Sequence, residues 1–152
     1  MIVIPIVLLA AAIIIPCLIP AHGPANESSA VANLRTINHA EETYRDAYGR
    51  YADSLANLGG PQPCLASAAT ACLIDRVLAS GVKSGYRFTV GGTNPVKGAN
   101  PSYFAATAPV VFGRGERRFC STEKHVIRVD WNAGKSTVPP DAVQCAGFPA
   151  LQ

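Results

Sequence analysis

The sequence predicts an α+β domain: one long N-terminal helix, apolar in its first half and amphipathic in its second, followed by a small antiparallel sheet of about four strands. Three observations predict it. Residues 1 to 26 contain no Asp, Glu, Lys or Arg, so all 13 basic and 10 acidic residues of the 152-residue chain fall from Glu27 onward. From Asn26 the apolar residues recur every three or four positions, and from Tyr86 that repeat shortens to two. A chain of this length is expected to form a single domain. Its hydrophobic share of 49% against 15% charged, with a mean hydropathy of +0.19, is too apolar for intrinsic disorder. A single long apolar segment also argues against a multi-pass transporter and against a purely cytosolic enzyme.

Met1 to Ala21 reads MIVIPIVLLAAAIIIPCLIPA. As a helix rising ~1.5 Å per residue it would be ~31 Å long, about one hydrocarbon core. Pro5, Pro16 and Pro20 each remove a backbone donor and tend to kink or unwind a helix, at ~3 kcal/mol in an isolated interior. Two other readings stay open. A secretory signal would be cut near Pro24 after the small residues Ala21 and Gly23, although its start carries no Lys or Arg and its apolar run is long. A lipoprotein start at Cys17 is weaker, because Pro16 stands where a small residue is wanted. The expected division is therefore 1–24, an apolar helix half, and 25–152, a globular domain.

Along the domain, Val31, Leu34, Ile37, Tyr44 and Tyr48 step at helical spacing toward a core, while Arg35, Glu42, Arg45 and Asp46 lie opposite and Gly49 ends the run. Leu55 and Leu58 mark a short element before Gly59-Gly60. Residues 71–80 read as a second short helix with Leu73, Val77 and Leu78 buried and Gly81 as its stop. Tyr86, Phe88 and Val90 alternate with Arg87 and Thr89 as in a half-buried strand. Further strands are expected at 103–106, 117–121 and 126–131, with Thr122 to His125 as the hairpin turn between the last two. The tail from Ala133 is Gly, Pro and polar, tied down through Cys145.

Five cysteines beside a membrane or export segment favour an oxidising compartment. Cys17 lies in the apolar segment as a small packing residue, and the remaining four allow three pairings. The local pairing is expected, Cys64 with Cys72 and Cys120 with Cys145. Their spacing does not match zinc knuckles, and no metal or cofactor is implied.

Charge is segregated: residues 76–135 hold ten basic against three acidic residues, whereas 27–75 hold three against six. In a polymer this lets one subunit's helix face meet another's sheet face. Arg114, Arg117, Arg118, Lys124 and Arg128, near Phe112, Phe119 and Trp131, form a candidate face for DNA or another polyanion; a solvated strand face is the plainer reading. His39, Glu41 and Glu42 lack the spacing of a metalloprotease helix and read as solvated surface, and His125 as a turn residue. No nucleophile and base constellation or phosphate loop can be assembled, so no enzymatic role is expected.

An uncharged helix with Ile15-Pro16, followed by ANESSAVANLRTINHAEETYRDAYGRYADSLANLGG, resembles the N-terminal half of type IV pilins and type II secretion pseudopilins. The likeness continues in SGYRFTV, PSYFAATAPV, RRFCSTEKHVIRVD and the final Leu151-Gln152, and so covers nearly the whole chain. Aligned on Pro16 and Asn26-Glu27, Met1 falls several residues inside the family's mature helix, so its basic leader, Gly-Phe cleavage site and early glutamate have no counterpart among residues 1–15. The resemblance implies a pilin fold and a subunit anchored in the bacterial inner membrane before assembly. The assembled state would be an extracellular or cell-surface filament for adhesion, motility or contact. Ile2, Ile4, Ile6, Leu8, Leu9, Ile13, Ile14 and Leu18 would pack the filament core, with Pro5, Pro16 and Pro20 as kink points. The partners would be copies of the chain and a pilus or type II secretion machinery. A pseudopilin, working as a short periplasmic piston, is the alternative within the family. A monomeric, exported or membrane-anchored binding module with a basic ligand face is the alternative outside it.

Overall fold

The computed structural model describes residues 22–93, 100–111, 115 and 117–152. Helix α1 spans His22–Tyr48. Its buried stripe is Ala30, Val31, Leu34, Ile37, Ala40 and Tyr44, with Tyr48 packed against the same core. Arg35, His39, Thr43 and Asp46 face solvent on the other side. Burying a leucine or isoleucine contributes ~1.5–3 kcal/mol, so this stripe fixes the helix against what lies beneath it. Gly49 stops it at φ 72°, its amide donating to the Arg45 carbonyl at 2.7 Å, a left-handed cap that glycine adopts without steric cost.

Two short helices follow, α2 (Leu55–Leu58) and α3 (Arg76–Ala79). The expected helix over 71–80 is only this last turn. Cys72 sits at φ 61°, and residues 71 to 74 donate their amides to the carbonyls of Asn57, Leu58 and Gly59, an arrangement a helix would forbid. Helical geometry starts where Asp75 caps it, accepting from the amides of Val77 and Leu78 at 3.0 Å. Leu78 is buried, but Val77 is 55% exposed and does not join it.

The sheet has five strands, not about four, in the order β1 (Val82–Lys83), β2 (Tyr86–Gly92), β3 (Tyr103–Pro109), β4 (Arg118–Thr122) and β5 (Arg128–Asp130), each antiparallel to the next. The added strand comes from a two-residue hairpin in which Ser84 and Gly85 take φ 51° and 77°, the paired positive values whose twist suits a tight β turn. The tail extends the other edge: Val129 donates to Pro149 at 3.0 Å and Leu151 to Ile127 at 2.8 Å. Helix α1 packs on one face of the sheet, across β3 and β4. A short helix α4 (Ala142–Gly147) packs against β4 through Cys145, on the sheet face that carries Cys120, Ala106 and Phe104. The tail is thus more ordered than its composition suggests. Asp141 caps α4 by accepting from the Gln144 amide at 2.8 Å, while the Gln144 side chain accepts from the Asp141 amide at 3.2 Å.

Candidate functional site

The buried stripe of α1 is not wholly apolar. Glu27, Asn38 and Glu41 lie on it with 7%, 4% and 0% exposure. Each must therefore find partners from another element or carry a desolvation cost. Asn38, at mid-helix, ties α1 to two strands: its Oδ1 accepts from the Tyr103 hydroxyl at 3.0 Å and from Ser121 Oγ at 2.7 Å. Burial pushes the Tyr103 phenol well up, and the nearby Glu41 carboxyl adds to the shift.

At the end where α1 begins, Glu27 is held by Arg117, immediately before β4. The Arg117 amide donates to Oε1 at 3.2 Å and its Nε to Oε2 at 2.7 Å, and Nη2 also bonds Oε2. The same guanidinium lies 4.8 Å from the centre of the Trp131 ring and 5.9 Å from that of Phe119. The Tyr86 hydroxyl donates to the Arg117 carbonyl at 3.1 Å, and Gly115 approaches so closely that a Cβ there would stand 2.1 Å from the Tyr86 oxygen. Sequence reasoning missed this junction, since ninety positions separate Glu27 from Arg117 and no local pattern links them.

At the far end the chemistry differs. Glu41 Oε2 accepts from the Ala52 amide at 2.9 Å, but its Oε1 is buried with no hydrogen-bond partner. Burial pushes this carboxyl up from 4.5 to about 7 against the pull of the Ala52 amide, and the like charges of Asp53 and Glu42 add to the rise. Glu41 is thus not the solvated residue that HAEE suggests. Glu42, one position on, is partly exposed and well partnered. Its Oε1 accepts from Tyr51 at 2.8 Å and lies 3.1 Å from His125 Nε2, and its Oε2 pairs with Arg45 at 2.5 Å. His125 occupies the β4–β5 turn at φ 58° and lines a shallow groove with Arg35, Asn38 and His39.

Among the described residues, Arg117, Arg118, Lys124 and Arg128 are not gathered on one face. In β4, Arg118 points opposite to Phe119, toward the α4 side, where it pairs with Asp130 at 2.6 Å. Arg117 points toward α1 instead, as Glu27 shows, because consecutive strand residues alternate. Arg128 donates to the Phe148 carbonyl at 2.6 Å, and Lys124 lies exposed in the far turn. Arg114 and Phe112 lie outside the described residues, as do Ile2, Ile4, Ile6, Leu8, Leu9, Ile13, Ile14, Leu18, Pro5, Pro16, Pro20 and Cys17.

Two disulfides close the domain, Cys64–Cys72 and Cys120–Cys145. The second is wholly buried and clamps α4 to β4. Among the described residues no group of three or more His, Cys, Asp or Glu could hold a metal, and no helix is long and apolar enough to cross a membrane. No protein family, curated protein or solved structure matches the chain. The site must therefore be judged on its own geometry. That geometry is an anchoring seam: an ionic grip at the start of α1, a shared amide at its middle, and a buried acid at its far end.

Proposed function

We propose that the protein is the structural subunit of an extracellular, type IV pilus-like helical filament, polymerising through residues 1–24 with the domain from 25 onward decorating the outside. The observation that carries this reading is the uncharged stretch of residues 1–26, whose last five residues open α1. An uncharged helix stored in a bilayer can move into a bundle of like helices without a net change in the apolar surface that meets water. The outer face of α1, with Arg35, His39 and Asp46 exposed, leaves the helix free to meet a neighbour while its inner stripe stays on the sheet. Heterologous contacts between an acidic helix segment and a basic sheet segment would generate an open polymer. A pilin fold, one helix on an antiparallel sheet with a disulfide near its end, belongs to the same reading.

Electron microscopy of material sheared from cell surfaces tests it, with long filaments containing this chain as the expected outcome. Their absence, with short periplasmic assemblies instead, would point to the pseudopilin alternative. Deleting residues 1–24 is expected to give a soluble monomer; filaments recovered from that truncated chain would overturn assembly through this segment. A native chain found by N-terminal sequencing to begin near Pro24 would do the same.

A further inference from the structure

The two ends of the domain are unlike in their surfaces. Where α1 begins, β2 and β4 start and β3 and β5 finish, as the pairings of Tyr86 with Pro109 and of Arg118 with Asp130 show. Val111, just past β3, and Trp131, just past β5, are 55% and 58% exposed there. Val138, 66% exposed, reaches the same end, since its carbonyl accepts from Arg118 Nη1 at 3.1 Å. Arg117 and Arg118 at this end are engaged with Glu27 and Asp130. The opposite end carries Glu42, Arg45, Asp46, Lys124 and His125, a charged surface on which Val126 is 41% exposed.

We infer that the end around Trp131 seats the domain on a lipid bilayer, with the Trp131 ring in the headgroup layer and Val111 and Val138 at the same end of the sheet. This rests on the reading that residues 1–21 reside in a bilayer before assembly. The arithmetic of the helix supports it. If the uncharged residues 1–21 cross the ~30 Å hydrocarbon core, His22 stands at its boundary and Glu27 about 7.5 Å above, within the ~5–8 Å depth of one headgroup layer. Arg117 holds Glu27 and lies 4.8 Å from the Trp131 ring, so that ring stands close to the Glu27–Arg117 pair. Tryptophan is the side chain whose apolar body and single N–H suit this layer. Because Arg117 and Arg118 already have carboxylate partners, the contact is apolar and aromatic among the described residues.

Trp131 is the only tryptophan of the chain, so its fluorescence reports this surface alone. The full-length protein is reconstituted into phosphatidylcholine vesicles, with and without phosphatidylglycerol, and flotation establishes association. Lipids brominated near the top of their acyl chains should lower Trp131 emission about twofold, lipids brominated near the bilayer centre distinctly less, with and without the anionic lipid. Equal emission in all vesicles that carry floating protein would overturn the seating while leaving the membrane reading intact. Failure to float would overturn both. A blue shift that grows with protein-to-lipid ratio but ignores bromine would assign the surface to a second copy of the chain. Quenching confined to phosphatidylglycerol vesicles would replace the apolar contact with a charge attraction.

Discussion

Glu27 and Glu41 stand on one stripe of one helix, about four turns apart, and both are buried, yet they are opposite cases. Glu27 meets an arginine that supplies its guanidinium and its backbone amide. Among the described residues Glu41 meets one amide and no cation, and the charges near it, Asp53 and Glu42, share its sign. The first is a fixed ionic grip. The second is a carboxyl that holds its proton in the folded state up to about pH 7. The residue type set neither outcome. What set them was the element that folds over each end of α1: the start of β4 over Glu27, and the loop before α2 over Glu41.

The sharpest way to break this contrast is to remove the cation. Arg117→Ala leaves the Glu27 carboxylate, itself 9% exposed, without its partner, and breaking a buried pair costs 3–5 kcal/mol in general. Because Arg117 is 32% exposed, a loss of about 3 kcal/mol is expected in denaturant unfolding. Replacing both partners by apolar residues, Glu27→Leu with Arg117→Met, should recover most of it. If the single variant unfolds at the wild-type midpoint, the grip has no energetic weight.

At the other end the expected effect depends on pH. Glu41 is protonated in the folded state up to about 7 but loses its proton near 4.5 when unfolded, so between these values the folded protein binds more protons. Its stabilising contribution is complete below about 4.5 and is lost as pH rises through about 7. At ~1.4 kcal/mol per pH unit, about 2 to 3 kcal/mol should be lost between pH 5 and pH 8. Glu41→Gln should flatten that slope, and unfolding curves at pH 5 and pH 8 measure it. An unchanged slope in the variant would place the titrating group elsewhere. Between the two ends, Asn38→Ala deprives the Tyr103 and Ser121 hydroxyls of their shared acceptor. About 1 to 2 kcal/mol should be lost, largely independent of pH. A matching variant, Ser121→Ala, should cost less, because it leaves the Tyr103 bond in place.

How far these features were legible in the sequence depends on their range. The apolar stripe of α1 was legible, since Leu34, Ile37 and Tyr44 repeat at the helical period and that period alone decides which side is buried. So was the alternation of Tyr86 and Phe88. The first strand was missed although Ser84-Gly85 is a turn signal, and α4 was missed although Asp141 and Gln144 stand at capping-box spacing. Both cues are local, and both were outweighed by short length and loop-like composition. The over-extended helix at 71–80 shows the converse: Leu73 and Val77 have helical spacing, but hydrogen bonds to residues 57–59 claim the backbone first. Glu41 was misjudged because a carboxylate on an otherwise apolar stripe argues for solvent, and only the distant Ala52 amide reverses that argument. The separation of Arg117 from Arg118 could have been read directly, since neighbours in a strand face opposite ways.

The smallest effect is expected where contrast and exposure meet, at His125. Its ring touches Glu42 at 3.1 Å, but the side chain is 44% exposed and Glu42 is also bonded to Tyr51 and Arg45. An exposed pair of this kind contributes under ~1 kcal/mol, and the carboxylate that it leaves behind keeps two other partners. His125→Ala should therefore shift the unfolding midpoint only slightly and leave the slope due to Glu41 in place. A residue at φ 58° also carries backbone strain that glycine would relieve, so His125→Gly should be at least as stable as His125→Ala. If instead His125→Ala abolished the pH dependence assigned to Glu41, the far end would act as one coupled unit of Glu41, Glu42 and His125. The contrast between the two glutamates would then be a contrast between a pair and a cluster.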